Sequence, residues 1–518
     1  MLRTKFPKIL SIATAFVLLA GPMLGVFALS AGAPSCGCGY DPVIYVTGIA
    51  SIDIQKDLGT DHAQVIFPPS TDIIKSAITA DTVLGLAKFA FTRDWDDAAD
   101  ALIPVADKVL EDFACNPDGT VKKGTGINWS YPGISAHTPG NVTRFFYDWR
   151  EDPMDIAVQL RDFIEYVCSV TGHDKVNLIA YSMGSIMTMS YIAQFGYDRI
   201  AGLVLSAAAL NGVSCAGEPF SGNIKIDPTG VVRYVDSFMH NEGKEALITS
   251  LVKVLQKAGL VGAAVDAVNI AIKNLAARVY PEVLTKCFAT SPGMWSLVPD
   301  EYYEAAKKLL LSDTGTYSEL IKKIDNYHYN VQVKNGMLID GVIERGIKFG
   351  IISKYNLQGF PCGNSVNNST DAVVDAKYSS FGATIADLDK TLGTNYKQAV
   401  NCGHNHISVD KKIDASTCRY PEQTWFVRDF VHMRDSDDYD ALINCIFFSE
   451  KQLTVFDNPK YPQFLILDEK TNTISPLTAD NDAGTDSGQI FGENSWLNVL
   501  VSFFTELFIY LRQTYPVS

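Results

Sequence analysis

Clusters of lysine and arginine are missing from this chain. Its 43 basic residues are outnumbered by 58 acidic ones, giving a formal charge of −15. No phosphate-neutralising face is on offer, and a nucleic-acid partner is not expected. Charge of either sign is scarce, at 19% against 47% apolar residues, which excludes disorder and suits a chain that buries at least one large core. Ten cysteines thinly spread over 518 residues do not make the dense framework of a small disulfide-stapled scaffold, and they leave any pairing open. Histidine is scarcer still, with eight, so few positions can supply a general base.

The N-terminus carries an address. Arg3, Lys5 and Lys8 form a basic head, Ile9 to Phe27 are almost continuously apolar, and small residues follow at Ala28, Ser30 and Ala31. That order reads as a secretory signal over residues 1–30, cleaved after Ser30, or as an uncleaved anchor. Either way the remainder is expected to be secreted or extracytoplasmic. At the other end, residues 495–513 read as an amphipathic helix. In "WLNVLVSFFTELFIYL" the polar Asn498, Ser502, Thr505 and Glu506 share one narrow stripe, and the large apolar remainder suits peripheral contact with a membrane or interface.

Between the ends, short apolar runs alternate with helical spacing. "PVIYVTG", "VTRFFYDW", "KVNLIA", "AGLVLSA" and "IKFGIIS" are rich in Val, Ile, Leu and Phe, as strands covered on both faces should be. "IAVQLRDFIEYVC", Ile156 to Cys168, has apolar residues at helical period. The expected fold is α/β, a mostly parallel sheet with helices on both faces, in a domain spanning 40–435. Residues 212–330 offer oily helices and no convincing strand, so they read as a helical insertion, and 436–486 read as a small β-rich extension.

The stretch "KVNLIAYSMGS" runs a strand into a serine and at once into a helix. Such a corner projects the serine above the sheet and requires small residues two before and two after it, here Ala180 and Gly184. Ser182 then lies at a helix N-terminus, where the Met183 amide can meet a developing oxyanion. Gly48 in "YVTGIAS" lets a second backbone segment approach, so the Ile49 amide is the other expected donor. A nucleophilic serine needs a base and an orienting carboxylate, and on this fold they follow in the order acid, then histidine. In "NNSTDAVVDAKYSS" Asp371 is the expected acid, with Asp375 as the alternative; in "NCGHNHISVD" His406 is the expected base, with His404 as the alternative. His404 and His406 lack an evident third ligand, so neither a metal nor another cofactor is expected.

These residues resemble the lipase and lecithin:cholesterol acyltransferase-like branch of the α/β-hydrolases. The likeness lies in "FFYDWRED", "KVNLIAYSMGS", "DAVV" and "NHIS" in that order, over roughly residues 40 to 430. It implies the α/β-hydrolase fold, Ser182, Asp371 and His406 as nucleophile, acid and base, and the helical insertion as a lid over an acyl pocket. The sequence departs from that branch at Thr47, where relatives usually have His or Pro, and at Ala180, where Gly is preferred. The expected function is an exported serine hydrolase cleaving carboxylic esters, lipid or other acyl esters above all, through an acyl-enzyme. Transfer of the acyl group to an alcohol is the nearest alternative, and a catalytically silent scaffold on the same fold is the alternative of another class.

Overall fold

In the computed structural model the described residues are 38–134, 141–238 and 243–482; the leader at 1–30 and the apolar segment at 495–513 lie outside them. One eight-stranded sheet organises the chain. Its strands are β1 (Val43–Val46), β2 (Val142–Phe145), β3 (Val176–Tyr181), β4 (Ile200–Ser206), β5 (Lys348–Tyr355), β6 (Thr424–Arg428), β7 (Phe464–Asp468) and β8 (Thr473–Pro476). The spatial order is β2-β1-β3-β4-β5-β6-β7-β8, with every neighbouring pair parallel except β7 and β8.

Strand periodicity divides the core into two layers. Ile44, Val46, Leu178, Ala180, Leu203, Leu205 and Ile351 point to one face, while Val43, Ile179, Val204 and Ile352 point to the other. Neither set can meet water, which is why these strands read as continuous apolar runs. The first layer packs on α1 (Pro153–Thr171), α2 (Gly184–Phe195) and α3 (Asn335–Glu344). In α1, Ile156, Leu160, Phe163, Ile164 and Val167 are fully buried at helical spacing. The helix starts where the Asp152 side chain accepts from the Met154 amide and Pro153 fixes the first turn, and it stops at Gly172, with φ 71°. The second layer packs on α4 (Asp437–Phe448) through Leu442, Ile443, Ile446 and Phe447, each contributing about 1.5–3 kcal/mol by burial.

Two helical insertions interrupt this frame, and both leave from the C-terminal ends of strands. The one between β4 and β5 spans helices from Ser214–Phe220 to Ser318–Asn330, including Leu260–Val279, before α3 returns to the sheet. The other, which nothing in the strand pattern anticipates, lies between β1 and β2. It holds a three-stranded sheet (Ile54–Lys56, Gln64–Phe67, Thr125–Ile127) and the helices Thr71–Ala77, Ala80–Thr92 and Trp95–Leu110. The insertions meet through Arg278–Asp100 at 2.6 Å and Lys286–Asp107 at 2.8 Å. The segment after Ser436 contributes the helix α4 and then β7 and β8, which lengthen the main sheet at its edge.

Candidate active site

Ser182 stands one residue past the end of β3, with φ 52°. A non-glycine residue there is strained and persists only if its surroundings hold it. They do: its amide donates to the Ser206 carbonyl at 3.0 Å, and its carbonyl accepts from the Ser185 and Ala209 amides at 3.1 and 3.2 Å. The two glycines beside it are required by distance. A Cβ on Gly184 would lie 2.1 Å from the Val46 carbonyl oxygen, and one on Gly48 would lie 3.0 Å from the Ser182 Cβ. The end of β1 and the corner after β3 therefore touch backbone to backbone, which puts Gly48 beside the hydroxyl. Met183 is buried at the start of α2. Among the described residues, neither the Ile49 nor the Met183 amide donates to a backbone carbonyl.

Asp371 lies beyond β5 in a tight turn. Its Oδ1 accepts from the Val373 and Val374 amides at 3.0 and 2.7 Å, leaving Oδ2 to face one partner. That partner is His432. Its Nδ1 lies 2.7 Å from Asp371 Oδ2 and its Nε2 2.9 Å from Ser182 Oγ, across 250 positions of sequence. A carboxylate only accepts, so Nδ1 carries the proton and Nε2 offers its lone pair to the serine O–H. A further tether runs from the His432 amide to the Asp371 carbonyl at 2.8 Å. The three side chains are 3% exposed or less.

The expectation of a base at His406, or at His404, is corrected here. Neither ring reaches Ser182. His406 is fully buried with Nδ1 2.7 Å from Gln463 Oε1, and the Gln463 amide in turn hydrogen-bonds the start of β6. His404 is exposed beside Phe456, with Glu422 at 3.9 Å. The reason is topological. β6 runs away from Gln463 and ends four residues before His432, so the two histidines stand at opposite ends of one strand, whose five residues span roughly 16 Å. Ligands bind at the C-terminal ends of parallel strands, and only His432 is there. Asp375, the alternative acid, instead accepts from the Ser214 amide and hydroxyl, both at 2.9 Å, and from Asn368 at 2.6 Å, which moors the first helix after β4.

Behind the histidine sits a buried cation. Lys354, at the end of β5, donates to the His432 carbonyl at 3.0 Å and the Val431 carbonyl at 3.4 Å, with the Phe430 ring 4.0 Å away. Burial pulls its pKa down to about 8, against a weaker upward pull from Asp371 and Asp435. The unfolded chain keeps the proton up to the ordinary lysine value. Between about pH 8 and 10.4 it therefore binds more protons than the folded chain, and stability rises with pH. The rise is expected to reach about 3 kcal/mol. Urea midpoints measured across that range should show it in the wild type and not in Lys354→Met; parallel curves would refute it.

A family model described as the alpha/beta hydrolase fold matches residues 121–238. The match covers β2, α1, β3, Ser182, α2 and β4, and ends before Asp371 and His432. Together with the eight-stranded sheet it establishes the α/β-hydrolase fold for this chain. No curated protein and no solved structure matches the sequence.

Proposed function

We propose that this protein is an exported serine hydrolase of carboxylic esters, acting through a Ser182–His432–Asp371 triad. The observation that carries the reading is the unbroken hydrogen-bonded chain from the Ser182 hydroxyl through His432 to Asp371. His432 takes the hydroxyl proton as Ser182 attacks the ester carbonyl, and Asp371 holds the ring and stabilises its cation. The amides of Met183 and Ile49 receive the oxyanion, and His432 then protonates the leaving alcohol. Water, activated by the same ring, releases the acid.

A lipid or other acyl-rich substrate is favoured by the apolar side chains that the insertions turn to solvent. Phe91 is 90% exposed, with Val83, Leu84, Leu260 and Ile270 also open. Both insertions leave the sheet at the rim that carries Ser182. The span Leu260–Phe288 is long and apolar enough, by length and composition, to cross a membrane. Such surface suits contact with an oily aggregate more than with a small polar ester. The tail at 495–513 would add to that contact, a reading that rests on its sequence pattern alone.

The near-complete burial of the Ser182 side chain favours transfer of the acyl group to an alcohol as the second reading, since a site closed to water lets a bound acceptor compete. A profile of p-nitrophenyl esters from short to long acyl chains, run with and without an added alcohol, tests both. Rates rising with chain length and free acid as product support the lipid esterase. An alkyl ester as the main product supports the transferase. Absence of turnover, together with failure of a fluorophosphonate to label the folded protein, would refute both.

A further inference from the structure

The two histidines that the triad leaves unused stand with a cysteine. The donor atoms of Cys402, His404 and His406 lie within 4.8 Å of one another, in the segment "CGHNH". Gly403, with φ 86°, allows the turn between the first two. The inner ligand is prepared. Gln463 Nε2 donates to the Pro421 and Thr424 carbonyls at 2.7 and 3.2 Å, which orients its Oε1 toward His406. That oxygen can only accept, so His406 Nδ1 carries the proton and Nε2 holds the lone pair. Nε2 is completely buried and has no hydrogen-bond partner. A buried acceptor left unpaired is destabilising, and a neutral imidazole fixed through its other nitrogen is how proteins present a metal ligand.

We propose that Cys402, His404 and His406 bind a divalent transition ion of the zinc class. One thiolate and two imidazoles suit such an ion and are poor ligands for calcium or magnesium. A tetrahedral zinc holds its donors roughly 3.3–3.7 Å apart, so the cluster must contract by about an ångström on binding. Cys402 and His404 are exposed and can turn inward, while His406 stays fixed. Glu422, whose carboxylate is 3.9 Å from His404 Nδ1, offers an oxygen ligand for the fourth position. The ion would tie this loop to the start of β6 and β7 at the rim opposite Ser182, which makes it a structural ion outside the hydrolytic chemistry.

The full-length protein, stripped with chelator and dialysed, is titrated with zinc sulfate and then, in a separate sample, with cobalt(II). The wild type should retain one equivalent of zinc, gain several degrees in Tm, and give the thiolate-to-cobalt charge-transfer band. C402S and H404Q, both at exposed positions and expected to fold, should lose the band and the Tm gain and bind zinc at least 100-fold more weakly. Absence of stoichiometric zinc in the wild type, or its full retention in both variants, overturns the proposal. Fluorophosphonate labelling of Ser182 should be the same in C402S as in the wild type, so this test and that of the triad fail separately.

Discussion

His432→Gln is expected to abolish the acylation burst on a p-nitrophenyl ester, lowering kcat roughly ten-thousandfold to a millionfold, with Ser182→Ala at the same floor. The geometry leaves no substitute, because no other ring stands within hydrogen-bonding reach of the Ser182 hydroxyl among the described residues. Glutamine offers an acceptor oxygen of similar reach but cannot take a proton at neutral pH. Asp371→Asn should lose about 10⁴-fold, since the amide can present its N–H to the ring and favour the wrong tautomer. His404→Gln and His406→Gln should keep the burst, because both side chains lie at the far end of β6. Retained acylation in His432→Gln, or its loss in folded His404→Gln, would sink the assignment.

The second large effect is expected at Gly184. An alanine there places its Cβ 2.1 Å from the Val46 carbonyl oxygen and 2.6 Å from that of Thr47. Both are backbone atoms. Val46 is a paired residue of a central strand, and Thr47 is held by the Phe145 carbonyl and the Tyr147 hydroxyl. The clash cannot be relieved by turning a side chain, so β1 or the corner must move, at a cost of about 3 kcal/mol or more. Any such movement separates Gly48 from the serine. Gly184→Ala should therefore lose stability, read as a lower urea midpoint, and lose kcat in the fraction that folds. Ala180→Gly, two residues before the serine, removes only a methyl, and its loss should stay near 1 kcal/mol. Equal stabilities for the two variants would show that the close approach is not a constraint.

The parts of the fold that can be read from sequence are those where burial and composition agree. Four central strands, β1, β3, β4 and β5, are continuous apolar runs because both faces are covered, while β2 at the sheet edge is only partly buried. The corner at Ser182 is visible because its small neighbours answer a steric demand. β6 escapes this logic. "TWFVR" is wholly buried, yet it begins with threonine and ends with an arginine paired to Asp410, Asp429 and Asp482. A buried ion-pair network looks like surface in a one-dimensional reading. With that strand unrecognised, nothing distinguishes His432, a few residues past it, from a loop histidine, while "NHIS" carries the family likeness and attracts the assignment. Recognising β6 as a parallel strand of the main sheet is the signal that would have found it.

Chain distance hid the rest. β7 and β8 look like an appendage because they follow a helix and a turn-rich stretch, and only pairing with β6 makes them part of the main sheet. The insertion after β1 has no strand run or motif to announce it. The motifs that suggest one hydrolase branch lie around the sheet and say nothing of the insertions.

Charge pairs cross the seam between those insertions, beside the contact of the Phe113 and Phe288 rings. Arg278–Asp100 and Lys286–Asp107 join segments about 180 positions apart, and each pair has at least one partner more than half exposed. Mobile ions attenuate such attractions over a Debye length of about 8 Å in physiological saline, whereas the hydrogen bonds of the triad are sheltered from solvent. Salt can thus weaken these pairs while the buried hydrogen bonds of Ser182, His432 and Asp371 stay as they are.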